Sequence, residues 1–218
     1  MTQHEAKKKL SAKDLLLPLL IGTLGVVGAV VAYLAVPGFL EVEVVLLLVM
    51  AVGAAIGYNR RIVRGLVTVP FLYAATGVAA ILYETTAPYI GAPFGDFREM
   101  QPPRDIKALS FFVLMLVVWI ALEGISRALF KDMSLPKLGV LDNLGGVLVH
   151  IFIGLLIAAL IFNALGYSQQ WRGSITQAKL APLLLRVVQT WYQLQSIWFD
   201  RTPKFYAGAL TLIETVGE

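Results

Sequence analysis

Two histidines occur in the chain, and His150 is the one that falls inside a long apolar run. The run reads Asp142-Asn-Leu-Gly-Gly146-Val-Leu-Val-His150-Ile-Phe-Ile-Gly154. Gly146, His150 and Gly154 are four residues apart, so a helix puts them on one face. An imidazole there can pack as a neutral hydrogen-bonded side chain, titrate, or ligate the metal of a macrocycle such as (bacterio)chlorophyll or haem. Gly146, one turn earlier, clears room above the ring for the last of these. The packing reading is preferred. A charged imidazolium near mid-membrane costs several kcal/mol, so the neutral form is expected. Its ring N–H then needs an acceptor on a neighbouring helix, such as Thr76 or a carbonyl freed near Pro70.

Other residues capable of chemistry are few. Arg60, Arg61 and Arg64 sit together and are expected to anchor topology, with anionic lipid or a partner as the alternative contact. Asp142 is expected to cap the helix that follows it, with an ion or proton site as the alternative. Glu123 and Arg127 are four apart and can pair on a helix. Gly53, Gly57, Gly146 and Gly154 form helix-packing faces, or else a homo-oligomer seam. Trp191 and Trp198 are expected to contact the membrane interface or a partner. No Gly-x-Ser-x-Gly, His-Glu-x-x-His or phosphate-binding glycine loop is present, and no Ser, Asp or Glu shares the His150 face to form a triad. There are no cysteines, which excludes disulfides, thiolate metal sites and Cys nucleophiles. No enzyme activity, protein-bound metal or nucleic-acid partner is expected.

The elements that must position these residues are membrane helices. The 218 residues are 58% hydrophobic and 15% charged, against about a quarter charged in ordinary soluble domains. Mean hydropathy is +0.75. Five apolar segments of spanning length are read, at 15–36, 40–58, 65–83, 108–122 and 143–166, with Glu41 and Glu43 at an outer interface. The first is too long for a signal h-region and is expected to be retained behind its basic flank of Lys7, Lys8, Lys9 and Lys13. Residues 85–107 are rich in proline and glycine and read as an exposed loop. Residues 174–199 alternate apolar and polar faces with helical period, so a helix lying in the interface is expected there. The organisation is then a cytoplasmic tail over 1–14, a five-helix membrane domain over 15–166, and an extracytoplasmic amphipathic helix and tail over 167–218. The fold class is an all-α integral membrane protein.

Orientation follows from charge. With the N-terminus inside, the short inner segments carry ten Lys and Arg, at 7, 8, 9, 13, 60, 61, 64, 127, 131 and 137, against three outside, at 98, 104 and 107. No internal repeat suggests a secondary transporter. No polar stripe of the kind that lines a pore is visible in the spans.

From about residue 40 to 165 the chain resembles the colicin V production protein (CvpA) family. The resemblance rests on Gly57-Tyr-Asn-Arg-Arg-Ile-Val-Arg-Gly65 after one span and on the Asp142 to Gly154 run opening the last. Three departures stand out. Arg61 occupies the place of the turn's second glycine, His150 that of the middle glycine of the last helix, and 15–36 is an extra helix. The resemblance implies a bacterial inner-membrane protein with an export or envelope role and no accepted enzymatic activity. Its expected partners are the bilayer and other membrane proteins, or a second copy met through the glycine faces. The alternatives are a pigment- or haem-carrying subunit of a bioenergetic complex using His150, and an oligomeric channel or transporter component.

Overall fold

The computed structural model describes residues 12–95, 102–129, 140–167, 169–199 and 203. The described elements are all helices: α1 (Ala12–Ala35), α2 (Glu41–Gly91), α3 (Arg104–Leu129), α4 (Val140–Leu165), α5 (Gln169–Gln177) and α6 (Ala181–Phe199). The first four are long and apolar enough to cross a membrane. Residues 1–11, Gly139 and 205–218 lie outside the described residues, as do Arg98, Lys131 and Lys137 from the orientation argument.

The five expected segments are distributed over four helices. The segments expected at 40–58 and 65–83 belong to one 51-residue element, α2. As a straight helix it would be roughly 75 Å long at 1.5 Å per residue. It is instead broken at Arg61, whose φ of 62° and ψ of 169° are not helical. The neighbours of α4 show that the chain reverses there. On the first arm, Gly57 lies beside Gly146 and Gly53 beside His150, and Met50 lies beside Gly154, so this arm runs antiparallel to α4. On the second arm, Gly65 lies beside Val149 and His150, just past the Arg61 contact with Gly146, so this arm runs parallel to it.

The remaining helices attach to this centre. α3 runs antiparallel to the second arm, with Thr68 bonded to Glu123 at one end and Tyr83 to Ser110 at the other. α1 runs antiparallel to the first arm, with Gly22 beside Ala55 and Gly25 beside Ala51. Most of α1 otherwise faces outward, including Leu16, Leu19, Leu24 and Leu34. Apolar exposure on that scale is foreign to soluble monomers and normal against lipid. Leu46, Leu72, Phe111, Met115, Leu156 and Phe162 form the buried centre between α2, α3 and α4.

Element ends also differ from expectation. The second arm continues past Tyr83 and Pro88 to Gly91, so the 85–107 loop is shorter than expected. There Thr86 hydrogen-bonds Ser110 of α3 at 2.8 Å, which ties the extension down. α3 likewise starts earlier and ends later than 108–122. The helix expected over 174–199 is two helices, α5 and α6, separated at 178–180. Pro182 falls in the first turn of α6, where its missing N–H is tolerated and a new helix can start.

α6 crosses the bundle instead of following it. Leu180 at its start is bonded to Glu43, and Phe199 at its end lies on Gly77. Counting 1.5 Å per residue from the reversal puts Glu43 and Gly77 at roughly equal heights of about 25 Å. Leu184, Val188, Trp191, Tyr192 and Gln195 are the buried face of α6.

Candidate functional site at the reversal of α2

The sharpest local feature is Arg61. Its backbone lies in a region essentially reserved for glycine, at a cost of about 1–3 kcal/mol for a side-chain-bearing residue. Asp142 supports that conformation from α4. Its Oδ1 accepts from the Ile62 amide at 3.1 Å, and its Oδ2 lies 3.9 Å from Arg61 Nε. Ile62 opens the second arm, whose first amides have no partner within the helix. The bond from the Ile62 amide therefore makes Asp142 a cap on the second arm of α2. It sits in the first turn of its own helix, as expected, and also serves the neighbouring one. α4 begins at Val140, so Asp142 is already inside its first turn and its carboxylate faces the break next door.

Two glycines let α4 approach the reversal. A methyl group added to Gly146 would lie 2.4 Å from the Gly57 carbonyl oxygen and 2.7 Å from Arg61 Cα. One added to Gly57 would lie 2.5 Å from the Gly146 oxygen and 2.6 Å from His150 Cβ. Gly53 and Gly154 continue the contact: a methyl on the former would meet the His150 oxygen at 2.9 Å, and one on the latter Met50 Cα at 3.0 Å. All four glycines named from the sequence are thus engaged within one chain.

His150 fills the slot these glycines make. It is 4% exposed, lies against Gly57 and Gly65, and its Nδ1 is 2.9 Å from the Gly146 carbonyl oxygen. A carbonyl only accepts, so Nδ1 carries the proton and Nε2 is left with a lone pair. Among the described residues Nε2 has no hydrogen-bond partner. The acceptor expected on another helix is instead on α4 itself. Thr76 is engaged elsewhere, with Trp191, Gln195 and the Leu72 carbonyl. With two arms of α2 closed over the ring, no face is open to a macrocycle, and the residues do not fit a pigment or haem.

Arginines gather on the other side of the reversal around one carboxylate. Glu123 Oε1 lies 3.0 Å from Arg60, 3.5 Å from Arg127 and 4.0 Å from Arg64. Thr68 donates to Glu123 Oε2 at 3.3 Å. The i, i+4 pair read from the sequence is present, but Glu123 serves three guanidinium groups. Counting Arg61 with Asp142, four cations face two carboxylates among the described residues, which leaves two positive charges in excess there.

Two polar junctions hold α6, and sequence reasoning did not find them. Glu43 is fully buried, not interfacial. Its Oε2 accepts from the Leu40 amide at 2.8 Å and its Oε1 from the Leu180 amide at 2.7 Å, so it closes the starts of both α2 and α6. The Leu40-x-x-Glu43 spacing is half a capping box, and that was the available signal. Trp191 is buried, with its Nε1 donating to Thr76 Oγ1 at 3.0 Å, so it anchors α6 on protein and not on lipid. Gln195 donates to Thr76 Oγ1 and to the Tyr73 carbonyl. Trp198 is 82% exposed and is free to meet a membrane or partner.

Among the described residues no group of His, Cys, Asp and Glu is placed to hold a metal ion. The cluster can cap a backbone, fix a reversal and hold excess positive charge. The sequence pattern of a family described as colicin V production protein matches residues 42–189. That span runs from the first arm of α2 into α6 and leaves α1 outside. No curated protein and no solved structure matches the chain.

Proposed function

The chain belongs to the colicin V production protein family, and we propose that it serves the bacterial inner membrane as a non-enzymatic subunit in an export or envelope process. The observation that carries this reading is the reversal at Arg61. It turns α2 into two antiparallel arms and gathers Arg60, Arg61, Arg64 and Arg127 at one end. With α1, α3 and α4 this gives five crossings. The basic end faces the cytoplasm by the positive-inside rule, so the N-terminus is inside and α6 lies near the opposite surface. The geometry supports a structural role, because Asp142 caps a backbone, Glu123 pairs with arginines and His150 is a packed ring at the reversal. Since the glycine faces are engaged internally, partners are met through other surfaces. Outward-facing α1 and the exposed end of α6 are the available ones.

Colicin V secretion tests the role. A producing strain deleted for its own family member should regain export when it carries this chain. Failure to regain export, with the chain inserted at normal amounts, would count against it.

A further inference from the structure

The arginine cluster opens sideways into a cavity of about 310 Å3, lined by Arg60, Trp119, Ile120, Glu123, Gly124 and Arg127. Three features define what would fit it. The first is charge. Arg60, Arg64 and Arg127 share one carboxylate, so guanidinium N–H groups outnumber the acceptors that Glu123 offers. The second is a donor in the wall. Trp119 Nε1 is shielded from solvent and has no acceptor among the described residues. A shielded donor without an acceptor is unfavourable, and an oxygen-rich anion in the cavity would satisfy it. The third is the flank. Val117 and Ile120, three residues apart on α3, are 59% and 66% exposed and lead from the cavity toward the middle of the helix.

An anionic head with several oxygens and an apolar body matches all three. Guanidinium groups bind phosphate oxygens in pairs, and the excess charge favours a net negative head over a zwitterionic one. We propose that this cavity holds the phosphate group of an anionic phospholipid, with its acyl chain along Ile120 and Val117. Arg61 is not part of it, being turned to Asp142. Gly124 has nothing within 4 Å of where a side chain would start, which leaves the mouth open. The inference rests on the membrane reading above but not on the export role.

Native mass spectrometry of the full chain in mild detergent tests it, with phosphatidylglycerol and phosphatidylcholine as probes. The wild type should retain one phosphatidylglycerol in preference to phosphatidylcholine. Arg127→Gln should weaken retention about tenfold, as expected for losing one charge-assisted contact of roughly 1.4 kcal/mol. Trp119→Phe removes only the N–H and should weaken it several-fold with an unchanged melting temperature. Arg104→Gln, at the far end of α3, should change nothing. Inorganic phosphate should not displace the lipid at equal concentration. Displacement would mean a site for free phosphate and would overturn the lipid assignment. Retention by Trp119→Phe and Arg127→Gln equal to the wild type would overturn the site itself.

Discussion

Gly57 and Gly146 meet backbone to backbone, each standing where the other's carbonyl oxygen leaves no room for a β-carbon. This contact sets the distance between α4 and the first arm of α2, and His150 and Arg61 are its immediate neighbours. Inside a bilayer, helices gain little from apolar burial and associate by close packing, so small residues at the crossing decide the fit.

Gly57→Ala and Gly146→Ala should therefore each destabilise by at least the ~1–3 kcal/mol typical of overpacking, because the obstruction is backbone and cannot rotate away. Gly28→Ala, with nothing within 4 Å of the added methyl, should be neutral or slightly stabilising. Thermal melting of the purified chain in detergent makes the comparison. Equal melting temperatures for all three would remove the packing argument.

Arg61 gives a prediction of opposite sign. Its ion pair is long, at 3.9 Å, and its side chain is 46% exposed, so the pair contributes at most about 1 kcal/mol. Its backbone strain is about 1–3 kcal/mol. Arg61→Gly should thus leave stability unchanged or raise it, while Arg61→Ala keeps the strain, loses the pair and should lower it. Denaturation midpoints for the two variants check this, and an alanine variant as stable as the glycine one would contradict the strained reversal.

The membrane class, the helix-packing glycines and the Glu123–Arg127 pair were all legible in the sequence, because each depends on composition or on spacing within one helix. The capping role of Asp142 was legible only in kind. Its partner, Ile62, is 80 residues away in sequence, and nothing local to Asp142 reveals it. Glu43 read as interfacial for a similar reason: the Leu180 amide that justifies its burial is 137 residues distant. A reversal was expected between the spans at 40–58 and 65–83, but not that it would be concentrated in the backbone of Arg61. A glycine at position 61 would have announced a backbone break, and an arginine announces only charge. For α6 the apolar face read from the pattern is buried on protein, because such a pattern cannot distinguish a lipid surface from a protein one, and Trp191 fits either.

Asp142→Ala should leave the Ile62 amide without its carboxylate acceptor and remove the support for the strained Arg61 backbone. A buried unpaired donor costs about 1–3 kcal/mol, so a loss of that order is expected. Asp142→Asn retains an acceptor oxygen and should lose less. Urea unfolding in detergent distinguishes the two, and equal losses would place the contribution of Asp142 in its charge alone.

The attachment of α6 depends on Thr76. Thr76→Val keeps the shape and removes the oxygen shared by Trp191 and Gln195. Hydrogen exchange over 181–199 should become faster in this variant, with little change in α4. Unchanged exchange in α6 would mean that the apolar contacts of Leu184 and Val188 hold the helix without the polar junction.

Because the reversal at Arg61 is the centre of the account, reporters placed along α2 test it most directly. The chain has no native cysteine, so single cysteines can be read cleanly. Glu41 opens the first arm and Phe94 lies just beyond the second, both exposed, and Arg61 lies at the turn. In cells with an intact inner membrane, an impermeant maleimide should label Glu41→Cys and Phe94→Cys but not Arg61→Cys, which should label only after the membrane is opened. Labelling of Glu41→Cys and Phe94→Cys from opposite sides of the membrane would show that α2 crosses once, and would contradict the antiparallel arms on which the five crossings and the site depend.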